Sequence, residues 1–166
     1  MSWKVDLVVM LRSLIGDLDH VKYTDERLKQ VITVGAYNVA NDADFQNDYV
    51  VSVSSLSISP DPINEKDTDF SVLSVYKAAC ILIGSEVKTE SANAISIKDG
   101  PSAIDLRGVT QNLNIMYQDI CKKYDELLKT YQYNNTLVGQ AILGPYSPGS
   151  MVLRSNQFDY RGNIFD

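Results

Sequence analysis

Hydrophobic and polar positions alternate along this chain with two different periods, and the switches between them divide it into elements. Between Lys4 and Ile15, Val5, Val8, Leu11, Leu14 and Ile15 recur at helical spacing, with Leu7, Val9 and Met10 making the segment apolar on more than one side. A helix is predicted there, buried or paired on several faces, with Gly16 as its stop. After a polar connection through Lys22, Thr24 or Asp25 can cap a second helix whose positive end suits Asp25 and Glu26. Leu28, Val31, Ile32, Gly35, Ala36 and Val39 form its apolar face, and it should end between Asp42 and Phe45.

From Tyr49 to Ser59 the pattern alternates apolar residues with serine, which is strand-like. The apolar phase slips at Ser54-Ser55, so the segment 49–58 is either one bulged strand or two short ones. An acidic, turn-rich loop containing Asp61, Glu65, Asp67 and Asp69 follows, and solubility or repulsion is its expected role. A third helix is predicted over about Thr68 to Lys88, with Phe70, Leu73, Tyr76, Cys80, Ile83, Gly84 and Val87 along a stripe. Ala78, Ala79 and Gly84 are small enough to admit another backbone. Ala94–Lys98 and Ser102–Leu106 then alternate on either side of Asp99-Gly100-Pro101, a hairpin signal over 94–106.

The fourth helix has the clearest period. Leu113, Tyr117, Ile120, Tyr124, Leu127 and Tyr131 step by 4, 3, 4, 3 and 4, a heptad seam from about Gln111 to Gln132. Such a seam serves either the core of a small bundle or, in part, a neighbouring subunit. Past Asn134 the residues are too apolar for a solvated tail and too broken by glycine and proline for a helix. An extended arm over 134–166 is expected, lying on a partner or on its own domain. The chain therefore reads as mainly α: a four-helix bundle-like domain over 1–133, with a small β-hairpin or strand element and a C-terminal arm.

Composition narrows the function by exclusion. The 166 residues suffice for one domain with a core of its own. The uninterrupted apolar runs fall short of the roughly 20 residues of a membrane span, so no membrane is expected as a partner. Net charge is −6, and no basic stripe offers itself to a phosphate backbone. Met1-Ser2-Trp3-Lys4 leads straight into helical sequence without the pattern of a signal peptide, so synthesis and assembly in a cytoplasm are expected. In that compartment Cys80 and Cys121 read first as small buried hydrophobes, with a disulfide between two packed helices as the alternative.

Candidate chemistry is sparse. His20, the single histidine, lies in a turn with no nucleophile motif beside it. Gly139 and Gly144 lack the Lys-Ser/Thr of a phosphate loop. Asp42, Asp44 and Asp48 begin a calcium-like spacing, but its sixth and twelfth positions are Asn47 and Val53. Asp17 and Asp19 read as turn-capping and solvating groups. No enzyme, no cofactor and no metal is expected.

The order of elements carries a resemblance. Leu11-Arg12-Ser13-Leu14-Ile15-Gly16-Asp17, then Tyr23-Thr24-Asp25-Glu26-Arg27-Leu28 and its helix, then Ile95–Asp105 around Gly100, then the tyrosine-bearing long helix, together resemble the head-to-tail adaptor (connector, head-completion) proteins of tailed bacteriophages. The strand-like segment 49–58 and the long arm depart from that pattern. The resemblance implies a virion protein of the head–tail neck that forms a ring of about twelve copies beneath the portal protein. It also implies contact with the next neck or tail component, and a channel through which DNA passes without specific binding. An acidic wall suits that passage. Expected subunit or partner contacts are Ile97, Gly100 and Ile104 in the hairpin, Tyr117, Tyr124 and Tyr131 on the seam, and Ile142, Tyr146, Met151, Leu153, Phe158, Tyr160 and Phe165 in the arm. The alternatives are another neck or tail-completion subunit, or a helical regulator outside the virion that binds one partner.

Overall fold

A computed structural model describes residues 2–96 and 107–135, with side chains over 2–92 and 111–135. Four helices and one two-stranded sheet make up the described residues, so the chain is mainly α. Contacts divide it into two units, Met1–Lys129 and Thr130–Asp166; of the second, only 130–135 at the end of the last helix are described.

Helix α1 spans Trp3–Ile15. The Ser2 hydroxyl caps it by accepting from the Lys4 amide, and Gly16 ends it with φ of 74°, a left-handed conformation that costs glycine nothing. Helix α2 spans Asp25–Asp42, and of the two candidate caps Thr24 is the one used, its hydroxyl accepting from the Arg27 N–H at 3.3 Å. The nine residues between the helices wrap around one carboxylate. Asp17 accepts from the backbone N–H groups of Val21, Lys22 and Tyr23 at 3.0–3.1 Å and from Arg12 Nη1 at 2.7 Å. Arg12 also donates to the carbonyls of Asp17 and Tyr23 and to the Asp25 carboxylate. Only 2% of Arg12 and 7% of Asp17 is exposed, so this pair lies inside the protein.

The segment 49–58 resolves into the two short strands: β1 (Val50–Ser52) and β2 (Ser57–Ser59) pair antiparallel, with Val51 opposite Ile58. Ile58 faces inward and Val50 faces out. Behind them Phe45, Tyr49 and Phe70 form an aromatic cluster, with Tyr49 stacked on Phe70 at 3.7 Å between ring centres. The acidic loop is structural at two of its four carboxylates. Asp61 accepts from the Trp3 N–H at 3.1 Å and so ties down the start of α1. Asp67 accepts from the Phe70 N–H and from the Tyr49 hydroxyl, capping the next helix and holding the aromatic cluster in one grip.

Helix α3 spans Thr68–Ser96, and α4 spans Arg107–Asn135. The first outruns its expected end at Lys88 and takes in Ala94, Ile95 and Ser96, where the hairpin was expected to begin; residues 97–106 lie outside the described part. Helices α2 and α3 share an extensive interface, with α1 against both and the strands against α2. At its centre a Cβ on Gly35 would fall 2.9 Å from the backbone of both Ser74 and Ala78, so the helices meet almost backbone to backbone. Ala78 serves the close approach expected of it, whereas Gly84 faces the Tyr117 ring and not a backbone.

The short uninterrupted apolar runs understate the apolar character of α3. Within Thr68–Ala92, an 18-residue stretch of α3 has a mean hydropathy of 1.5, and the helix is long and apolar enough, by length and composition alone, to cross a membrane. Its apolar character has a packing cause. Phe70, Leu73, Val75, Ala78, Ala79, Leu82 and Ile83 are buried in a helix surrounded on several sides, and such a helix is apolar all round.

Two substitutions test these constraints by urea denaturation. Gly35→Ala should destabilise the protein by about 1–3 kcal/mol, because backbone and not a flexible side chain obstructs the new methyl. Asp17→Ala should cost about 3–5 kcal/mol, because it removes the more deeply buried of the two carboxylates that hold a buried guanidinium and frees three amides.

Candidate functional site

The expected contact residues divide into three groups. Ile97, Gly100, Ile104, Ile142, Tyr146, Met151, Leu153, Phe158, Tyr160 and Phe165 lie outside the described residues. Tyr131, half-buried, belongs to the second unit. Tyr117 and Tyr124 lie in the first unit and are engaged within the chain.

The heptad seam of α4 faces inward, and Leu113, Tyr117, Ile120, Tyr124 and Leu127 are all buried or half-buried. Three contacts fix its register against α3. Tyr117 lays its ring over Gly84, where a Cβ would sit 2.8 Å from the ring edge. Cys121 is bonded to Cys80, with 5.2 Å between the Cα atoms. Lys77 Nζ lies over the Tyr124 ring, 4.4 Å from its centre. The residue numbers rise along one helix as they fall along the other, so α3 and α4 run antiparallel. The disulfide replaces the expected pair of separate thiols. The physical reason is the seam itself, which lays Cys121 directly over Cys80.

Asp42, the last residue of α2, joins this seam. Its carboxylate accepts from the Tyr124 hydroxyl at 2.6 Å and from Lys77 Nζ at 3.2 Å, so one acidic group ties three helices together. Burial, and then the adjoining Asp42 carboxylate, push the Tyr124 hydroxyl well above the ordinary phenol range. Tyr49 is raised as well, first by burial, with an opposing hydrogen bond from Asn47 and a reinforcing one to Asp67. These are structural polar groups, each occupied by a partner. Among the described residues no group of three or more His, Cys, Asp or Glu side chains could hold a metal ion. His20 is exposed, its Nδ1 3.7 Å from the Asp25 carboxylate. The Arg12 guanidinium, first by hydrogen bond, holds that carboxylate below its usual range.

What remains open is surface. On α1 the buried residues Trp3, Leu7, Val8, Leu11 and Arg12 occupy half of the helix, whereas Val5, Val9, Met10 and Ser13 lie on the other half. Val5 is 63% exposed and Val9 55%, so the helix expected to be covered on several sides carries an apolar outer arc. Elsewhere, Arg27, Gln30, Val31 and Val34 of α2, Ile81 of α3, and Val53, Ser54 and Leu56 at the strand turn line a shallow groove of about 430 Å³. Both surfaces could hold apolar side chains of another molecule.

Alternation and heptad spacing made the seam legible in advance. They did not reveal Asp42, Lys77 or the groove, because those depend on which helices become neighbours. No protein family, curated protein or solved structure matches the chain.

The raised tyrosines predict alkaline behaviour. Unfolded tyrosine loses its proton near 10.0, while Tyr49 and Tyr124 keep theirs in the native state. Stability should therefore be complete below that pH and fall as pH rises above it. Tyr124→Phe should reduce this slope and cost about 2 kcal/mol at neutral pH through the lost bond to Asp42. Denaturant titrations at neutral and alkaline pH measure both.

Proposed function

We propose that the protein is a structural subunit of a ring beneath the portal of a tailed bacteriophage, joining the head to the neck or tail and lengthening the DNA channel. The observation that carries the proposal is the outer arc of α1, where Val5, Val9 and Met10 remain uncovered although the same helix buries a full stripe. Exposed apolar groups in a cluster point to protein contact. A cyclic assembly needs two unlike faces on each subunit. The α1 arc and the groove between α2, α3 and the strand turn are two such faces. The order of elements, with an Asp17 turn between capped helices and a long tyrosine-bearing final helix, is the order in the adaptor proteins that the sequence resembles. A net charge of −6 suits a wall past which DNA must slide.

The groove also favours a second reading, a helical module that receives one partner and regulates it. Stoichiometry separates the two. In purified particles of the source virus, quantitative mass spectrometry should find one copy of this chain for each portal subunit. A ratio of one half would place it in a six-fold ring on the tail side. Absence from particles would discard the virion reading. The double variant Val5→Glu, Val9→Glu should keep its folding free energy within about 0.5 kcal/mol, because both positions are exposed. It should nevertheless fail to enter particles, and normal incorporation would show that the α1 arc is not an assembly face.

A further inference from the structure

The Cys80–Cys121 bond joins two helices that differ in how firmly they are held. Helix α2 encloses Leu28, Ile32, Ala36 and Val39 completely, and α3 is buried along most of its first half. Helix α4 is anchored differently. Over its described residues in the first unit, 111–129, only Ile120 and Tyr124 are buried. The disulfide lies between the Tyr117–Gly84 contact and the Tyr124–Lys77 contact, in the middle of this narrow attachment. Both cysteines are partly exposed, so a small thiol can reach them. The chain has two cysteines in all, and reduction therefore changes one place in the protein and no other.

We propose that Cys80–Cys121 is a redox-operated clamp on α4: oxidised, it fixes α4 on α3; reduced, it lets α4 open locally while α1, α2 and α3 remain folded. The exchange partner is a low-molecular-weight disulfide such as oxidised glutathione. One cysteine thiolate attacks it and releases one glutathione thiolate, leaving a mixed disulfide. The second cysteine thiolate then attacks the protein sulfur of that mixed disulfide, forming the Cys80–Cys121 bond and releasing the second glutathione. Two electrons pass from the cysteine sulfurs to the reagent, and the two cysteine protons end on the two released thiols. The clamp stands independently of the virion reading, since it requires only this chain and a thiol buffer.

Hydrogen–deuterium exchange of the full chain, with and without dithiothreitol, tests it. On reduction, amides of 111–129 should exchange about ten-fold faster or more, with those of 28–39 and 70–83 changing less than about two-fold. The double variant Cys80→Ser, Cys121→Ser should match the reduced protein whether or not dithiothreitol is present. If that variant does not fold, the reduced wild-type protein alone decides. Equal protection of α4 in both states would overturn the proposal. So would equal loosening of α2 and α3, which would make the bond a staple of the whole fold. Two thiols still titratable after incubation with oxidised glutathione would overturn it as well.

Discussion

A guanidinium that is always charged cannot be withdrawn from water unless the protein surrounds it with oxygen. Arg12 is withdrawn almost completely, and its partners are the Asp17 carboxylate, the carbonyls of Asp17 and Tyr23, and the Asp25 carboxylate. Those partners come from the turn and the start of α2, whereas Arg12 itself lies near the end of α1. Asp17 in turn holds three successive backbone amides. The angle at which α2 leaves α1 is thus set by electrostatics, and Gly16 supplies the backbone freedom that lets the chain reverse there. Once α2 is aimed, Gly35 can meet Ser74 and Ala78, and the α2–α3 layer follows from that approach.

The polar groups at the other end of this layer work on the same rule. Asp42 stands at the end of α2, where its carboxylate finds one cation from α3 and one hydroxyl from α4. Asp61 and Asp67 do the same for the starts of α1 and α3. Two carboxylates of what in sequence resembles a solvated acidic run, Asp61 and Asp67, thus stand at the starts of helices, where unsatisfied amides would otherwise remain.

Much of the helical architecture could be read from residue order. The periods of 3.6 and 2 located α1, α2, the strand pair and the seam of α4, because each of these signals is local. Gly16 and Thr24 gave the limits of two helices for the same reason. Three things were not legible. The length of α3 was underestimated because Ala94-Ile95-Ser96 alternates like a strand yet continues a helix already formed. The disulfide was ranked below two free thiols because a cytoplasm was expected from an N-terminus without a signal-peptide pattern, whereas the pairing follows from the register of two antiparallel helices. The outer arc of α1 was misjudged because an apolar residue does not itself show which neighbour will cover it. Val5 was counted with the core stripe but falls on the opposite half of the helix from Leu7 and Leu11.

The cross-link between α3 and α4 also determines how the chain transmits force. A pull applied between the two ends of the chain would run along α3 to Cys80, cross the sulfur bridge to Cys121, and leave by α4. Residues 81–120 form a closed covalent loop beside that route and would carry none of the load. The connection between the two helices is thereby mechanically silent, and its length and sequence could change without altering the tensile path. Between those helices, strength along the chain would depend on the first half of α3, the sulfur bridge and the second half of α4.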